Sequence, residues 1–136
     1  MNADPAPMNA DPERECLDVL SRRIIGCALR VSNTLGFGFL EKVYENALAL
    51  ELRAADIAVE QQKPVHVTYK GRVVGDYIPD LLIEDQIIVE VKASAGLEKV
   101  HHQQCLNYLR ATGHHVCLLL NFGRARLEMK RLVWHF

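Results

Sequence analysis

No hydrophobic run in this chain of 136 residues approaches the roughly 20 apolar residues that span a bilayer. The polar N-terminus also carries no apolar stretch beside a cleavage site. Both absences predict a cytoplasmic protein with no membrane segment. Cysteine is sparse and scattered: Cys16, Cys27, Cys105 and Cys117 sit in apolar segments without a C-x-x-C pair. That excludes a disulfide framework or a zinc-finger spacing and predicts small core residues in a reduced protein. A net charge of −1 gives no overall basic excess, so a nucleic-acid partner would need a local basic surface.

What is present is ordinary for a soluble domain: 49% hydrophobic and 24% charged residues, in a length that suffices for one core. Residues 1–12 repeat Met-Asn-Ala-Asp-Pro at Met1 and Met8 and show no apolar periodicity, which predicts a disordered tail ahead of one domain over 13–136. From Glu13 to Leu35, residues Leu17, Leu20, Ile24, Cys27, Ala28, Val31 and Leu35 recur at helical spacing, ending in Gly36-Phe37-Gly38. A second helix is predicted from Phe39 or Leu40 to Ala55, with Glu41, Tyr44 and Leu48 on one inward stripe. A lone Glu at a helix start ordinarily complements the helix dipole; the apolar company of Glu41 argues for a further role.

Ala58 to Tyr69 reads as a strand region and Lys70-Gly71-Arg72 as its turn, with a short strand from Val73. His66 reads as a surface or half-buried strand residue. A helix is predicted from Glu98 to Ala111, stopped by Gly113, with His101, Gln104 and Tyr108 on one face. His115 to Phe122 reads as a central strand and Leu127 to Trp134 as an edge strand with Arg124, Arg126, Lys130 and Arg131 around it.

The informative stretch is Tyr77 to Lys92, YIPDLLIEDQIIVEVK. It reads as two apolar strands, one carrying Asp80 and the other Glu90 and Lys92. Residues two apart on a strand share a face, so Glu90 and Lys92 point together while Val89 and Val91 point into the opposite layer. If Glu84 pairs with Gln86 around Asp85, or Ile83 with Ile87 around a three-residue loop, Asp80 falls across from Glu90, with Cβ atoms about 4.5–5.5 Å apart. A two-residue turn would put them on opposite faces, but no Asn-Gly or Asp-Gly signal is present. Two carboxylates brought together need a proton or a cation. With oxygen donors alone, that cation is expected to be Mg²⁺ or Mn²⁺.

Gly38-Phe39-Leu40-Glu41-Lys42-Val43-Tyr44, then Asp80, Glu90-Val91-Lys92 and Gln104 to Tyr108 as Q-x-x-x-Y, together resemble the GxxExxY proteins. These are a branch of the PD-(D/E)XK nuclease superfamily close to the RecB-like exonucleases. The resemblance implies an α/β (α+β) restriction-endonuclease-like αβββαβ core, a mixed sheet flanked by helices. It also implies a nuclease cutting phosphodiester bonds, of DNA rather than RNA, with Glu41, Asp80, Glu90 and the Val91 carbonyl holding Mg²⁺ or Mn²⁺. Lys92 would orient or deprotonate the attacking water. Gln104 and Tyr108 would steady Lys92 or contact phosphate, Tyr44 would support Glu41, and His101 shares the Gln104 face. Lys63, Lys99, Arg110 and Arg124 are the expected bases along the cleft. Two alternatives remain open: a catalytically silent binding module on the same scaffold, and an RNA-directed or defence nuclease. A homodimer through an edge strand or the first helix is compatible with the pattern.

Overall fold

The structure, a computed structural model, describes residues 11–135. Residues 1–10, most of the expected tail, lie outside the described residues. Helix α1 spans Pro12–Leu35 and begins a residue earlier than the periodicity suggests. Asp11 is its cap, accepting from the N–H groups of Glu13 and Arg14, and Pro12 opens the first turn, where a missing N–H costs nothing. Gly36 ends it at φ 69°, its N–H returning to the Ser32 carbonyl. Helix α2 spans Glu41–Ala54 and packs on α1.

The strands are β1 (Val59–Gln61), β2 (Val65–Tyr69), β3 (Arg72–Tyr77), β4 (Leu81–Ile83), β5 (Ile87–Lys92), β6 (Val116–Asn121) and β7 (Glu128–Val133); helix α3 (Lys99–Thr112) lies between β5 and β6. Five strands form one mixed sheet in the order β1-β4-β5-β6-β7, with β5 and β6 parallel and the other pairs antiparallel. Parallel neighbours need a crossover, and α3 supplies it.

Side-chain alternation sorts the sheet into two layers. Leu81, Ile83, Ile87, Val89 and Val91 join the core of α1 and α2, while Leu82, Ile88, Cys117 and Leu119 pack with Cys105 and Leu109 of α3. All six residues of β6 are buried, as its uninterrupted apolar run requires of an interior strand. Cys27, Cys105 and Cys117 are buried as expected; Cys16 is exposed instead, on the first turns of α1. Among the described residues no helix is long and apolar enough to cross a membrane.

Two expected elements divide differently. The strand region of residues 58–69 breaks between β1 and β2 at Gln62, which adopts φ 55°, and Pro64. Strands β2 and β3 then leave the main sheet as a separate hairpin, closed by Lys70 (φ 50°) and Gly71 (φ 74°) and packed against α3. The first half of the Tyr77–Lys92 stretch is likewise not one strand. Tyr77 ends β3, and β4 covers only Leu81–Ile83, because Pro79 has no N–H for a ladder.

Candidate active site

The β4–β5 register decides which faces the acids occupy. Ile83 pairs with Ile87, Leu82 with Ile88 and Leu81 with Val89, around the loop Glu84-Asp85-Gln86. Glu84 and Asp85 turn the chain with φ 53° and 54°, and Gln86 N–H donates to Ile83 O over 2.9 Å. One step further, Asp80 falls opposite Glu90. Its N–H donates to Glu90 Oε1 (3.2 Å), and its own Oδ2 accepts from the Val91 N–H (2.8 Å).

That second bond exists because β4 stops at Leu81, leaving the Val91 peptide without a strand partner on that side. Lys92 O accepts from the Phe122 N–H (2.8 Å) beyond β6. Successive strand residues turn their peptide groups to alternate sides, so the Val91 carbonyl faces the Asp80 side with its N–H.

Both acids are desolvated. Burial, reinforced by the Asp80 charge, pushes the Glu90 carboxyl up from 4.5 to about 7 against the opposing pull of the Tyr77 hydroxyl, the Asp80 N–H and Lys92. Burial also raises Asp80, opposed first by the Val91 N–H, then reinforced by the charge of Glu45, with Lys92 lowering it and Glu41 adding a smaller increase. Lys92 is half-buried and its ammonium acts on both acids. Val89 and Val91 point into the α1–α2 core, which fixes Glu90 and Lys92 on the other face.

Several residues with no role in the sequence reading build this corner. Tyr77 donates its hydroxyl to Glu90 Oε1 and stacks on Tyr108 of α3, with ring centroids 3.4 Å apart. Burial and the Glu90 charge hold the Tyr77 hydroxyl far above its ordinary pKa, so it stays a donor. Tyr108 thus supports the site through Tyr77 and Glu90. Glu45, 4% exposed, accepts from Lys42 Nζ (2.9 Å), Gln61 Nε2 (2.8 Å) and Gln62 Nε2 (3.0 Å). Gln62 Nε2 also reaches Asp80 Oδ1 at 3.5 Å, so one amide lies between two carboxylates. Asn121, wholly buried, staples the turn after Lys92. It accepts from the Ser94 and Gly123 N–H groups and donates to Ser94 O and to Glu128. Gly123 is required there, since a Cβ would meet Ser94 O at 2.2 Å. The available signals were Tyr77 three residues before Asp80, and the polar Asn121 closing an apolar strand.

Other expected site residues lie elsewhere or act differently. Tyr44 and Leu48 are fully buried, as their stripe requires, but Glu41 is exposed because it is the first residue of α2, past the edge of the core. The Tyr44 hydroxyl is engaged elsewhere than at Glu41: it donates to Gly36 O (2.6 Å) and accepts from the Phe39 N–H (3.2 Å), fixing the turn that delivers Glu41. Among the described residues, no three Asp, Glu, His or Cys side chains converge closely enough to hold a metal. Gln104 is exposed. His101 closes a capping box with Glu98, its Nδ1 accepting the Glu98 N–H at 3.1 Å. His66 is an exposed strand residue, 2.6 Å from Asp76.

Of the four bases, Lys63 pairs with Glu60 (2.9 Å) next to Gln62, while Lys99 and Arg124 are exposed where α3 begins and β6 ends. These three share the Asp80 end of the sheet. Arg110 does not. Helix α3 runs back along the strands that it connects, and eleven residues of α-helix carry it about 16 Å from Lys99. Its guanidinium lies 4.8 Å over the Trp134 ring.

A mixed five-stranded sheet between helices, with Asp80 across from Glu90-x-Lys92 where β4 gives out, is the core of a restriction-endonuclease-like fold. The chain belongs to the PD-(D/E)XK nuclease superfamily, whose family model matches residues 18–132. Among solved structures it is similar to the one described as the crystal structure of SSO0001, at 20% identity and a TM-score of 0.52 over 68% of this chain and 48% of that one. A looser likeness, at 15% identity and a TM-score of 0.42, is to an alkaline exonuclease from Laribacter hongkongensis, over 68% of this chain and 55% of that one. The chain spans about half the length of each. No curated protein matches its sequence.

Proposed function

We propose that this chain is a metal-dependent phosphodiesterase acting on nucleic acid, DNA in preference to RNA, through Asp80, Glu90 and Lys92. Within the superfamily, its G-x-x-E-x-x-Y, Asp, E-x-K and Q-x-x-x-Y series supports the GxxExxY branch near the RecB-like exonucleases. The observation that carries the reading is the pair of desolvated carboxyls side by side, with Lys92 next on the same face. Repulsion and burial both penalise this arrangement unless a cation or a proton accompanies it.

The donor set fits a hard divalent ion: Asp80, Glu90 and the Val91 carbonyl are all oxygen donors on one side of β5. Glu41 is exposed and stands outside that set, so it would complete it only by turning in from the solvent side; its charge already bears on Asp80. A bound Mg²⁺ or Mn²⁺ supplies charge neutralisation at the phosphoryl oxygens and a more acidic water. The chain's own residues hold the geometry. Tyr77 and the Asp80 N–H fix Glu90, the Val91 N–H fixes Asp80, and Lys92 offers its ammonium to the attacking water or the phosphate. Lys63, Lys99 and Arg124 supply phosphate contacts, so binding weakens with salt.

A second reading, a binding module without turnover, is favoured by one observation: the exposed position of Glu41 outside any three-acid cluster. The test is incubation of single- and double-stranded DNA and RNA with Mg²⁺ or Mn²⁺, for wild type, Asp80→Ala and Lys92→Ala. Metal-dependent cutting lost in both variants supports the phosphodiesterase. Binding without cutting under either metal supports the module.

A further inference from the structure

The turn joining α1 to α2 exposes apolar side chains next to the candidate site. Phe37 is 61% exposed, Phe39 49%, Leu40 81% and Val43 39%, four within seven residues. Single exposed apolar residues are common on protein surfaces, whereas contiguous ones mark a place where something binds.

This turn is held rigidly to the site. The Tyr44 hydroxyl clamps Gly36 O and the Phe39 N–H, and the Phe39 ring meets Tyr44 edge-on at 6.1 Å. Tyr44 stacks on Phe122 at 4.9 Å and 11°, and the Phe122 N–H donates to Lys92 O. Tyr44 and Phe122 are both wholly buried. A line of packed rings and backbone hydrogen bonds therefore runs from the exposed turn to Lys92, and Glu41 directly follows the turn. Two cations belong to the same neighbourhood in the chain: Lys42, whose side chain is 58% exposed although its Nζ meets Glu45 at 2.9 Å, and the exposed Arg124, two residues beyond Phe122.

Exposed aromatic rings, Phe39 braced edge-on by Tyr44 and Phe37 open to solvent, beside cations suit a single nucleic-acid strand, with bases stacked on the rings and phosphates near the cations. A base inside a closed duplex is already stacked and paired, so its face is not available. We propose that Phe37, Phe39 and Leu40 form a stacking platform for unpaired nucleobases, which directs the site to single strands or frayed ends. This rests on the phosphodiesterase reading for the chemistry but not for the binding.

The test measures binding of a fluorescent single-stranded oligonucleotide and of a closed hairpin duplex in EDTA, where cutting is suppressed. It compares wild type with the triple variant Phe37→Ala, Phe39→Ala, Leu40→Ala, and records melting temperature and mass in solution. Single-strand affinity should fall at least tenfold while hairpin affinity stays unchanged, and Phe37→Trp should retain full single-strand binding. Should the triple variant not fold, Phe37→Ala alone, at the most exposed ring, should give a smaller loss of the same selectivity. Unchanged single-strand binding, or an equal loss for both ligands, overturns the platform. So does a dimer that becomes a monomer with nucleic-acid binding intact, since the turn would then be a self-association surface. A wild type that binds single strands through the turn but cuts nothing with metal overturns the phosphodiesterase reading and leaves the platform standing.

Discussion

The hairpins β2–β3 and β4–β5 follow one another in the chain, and each sets an acid against a partner across its strands. In the first, Asp76 faces His66 at 2.6 Å, with both side chains more than half exposed. In the second, Asp80 faces Glu90 within the main sheet on the side that α3 covers, and burial raises both carboxyls. The first pair joins groups of opposite character in water. The second brings two acids together partly out of water. Close approach alone therefore says little about chemistry; what separates the hairpins is the solvent removed around the second, which makes its protonation and cation occupancy energetically significant.

The contrast breaks most sharply in activity. Asp80→Ala and Lys92→Ala should each reduce metal-dependent cutting on the order of 10²–10³-fold, while His66→Ala and Asp76→Ala leave it unchanged, as read from rates on labelled oligonucleotides. A loss of similar size from the β2–β3 variants would erase the distinction between the hairpins.

Next in size is the dependence of stability on pH in metal-free buffer. The folded-state value of Glu90, about 7, lies above its ordinary 4.5, so between these values the folded chain binds more protons than the unfolded one. Stability should therefore fall as pH rises from about 4.5 to about 7 and level off above, with Glu90 contributing roughly 3 kcal/mol to the drop. Chemical denaturation at several pH values should show that drop in wild type and a much smaller one in Glu90→Gln. Tyr77→Phe removes a hydrogen bond that favours the Glu90 carboxylate, so the window should move upward in pH. Asp80→Asn should raise metal-free stability by relieving the repulsion.

A smaller effect is expected at Gln62, whose amide stands between Glu45 and Asp80. Gln62→Ala should lower metal-free stability by about 1 kcal/mol and lose much less at saturating Mg²⁺, where a cation takes over the separation of the carboxylates. Thermal melts with and without Mg²⁺ read the difference directly. An equal loss in both conditions would make Gln62 a structural tie only.

The β4–β5 hairpin was legible in the sequence because its acids interrupt runs of Ile, Leu and Val, and because the absence of a two-residue turn signal favoured the register that puts Asp80 across from Glu90. The α1 stripe and the burial of β6 were equally readable, since each is a periodicity of apolar residues. The detached β2–β3 hairpin was not: its alternation of Val65, Val67 and Tyr69 is the pattern of a half-buried strand wherever that strand lies. Glu41 was read as inward from its helical stripe, but periodicity assigns a face and not a depth, and the first turn of α2 overshoots the core. Arg110 was grouped with Lys63, Lys99 and Arg124 as a base along the cleft, but the length of α3 carries it away from Lys99 to the end of the sheet where it meets Trp134. Tyr77 and Asn121 escaped because each acts through partners distant in the chain.

The least effect is expected where the first hairpin holds its exposed His66–Asp76 contact. His66 and Asp76 meet at 2.6 Å, but their side chains are 64% and 55% exposed. Solvent screens such a pair, and ordering two side chains offsets part of the attraction, so exposed pairs contribute about 0–1 kcal/mol. His66→Ala should therefore change stability by at most that amount at low salt and by less at 0.5 M NaCl, measured by urea denaturation. The hairpin must instead be held by its ladder, by the Lys70-Gly71 turn and by the Tyr77–Tyr108 stack at its base. Tyr77→Ala, which removes the stack as well as the Glu90 hydrogen bond, should destabilise considerably more than His66→Ala. If the two losses were equal, the exposed pair would be anchoring the hairpin, and burial would no longer be what distinguishes the two regions.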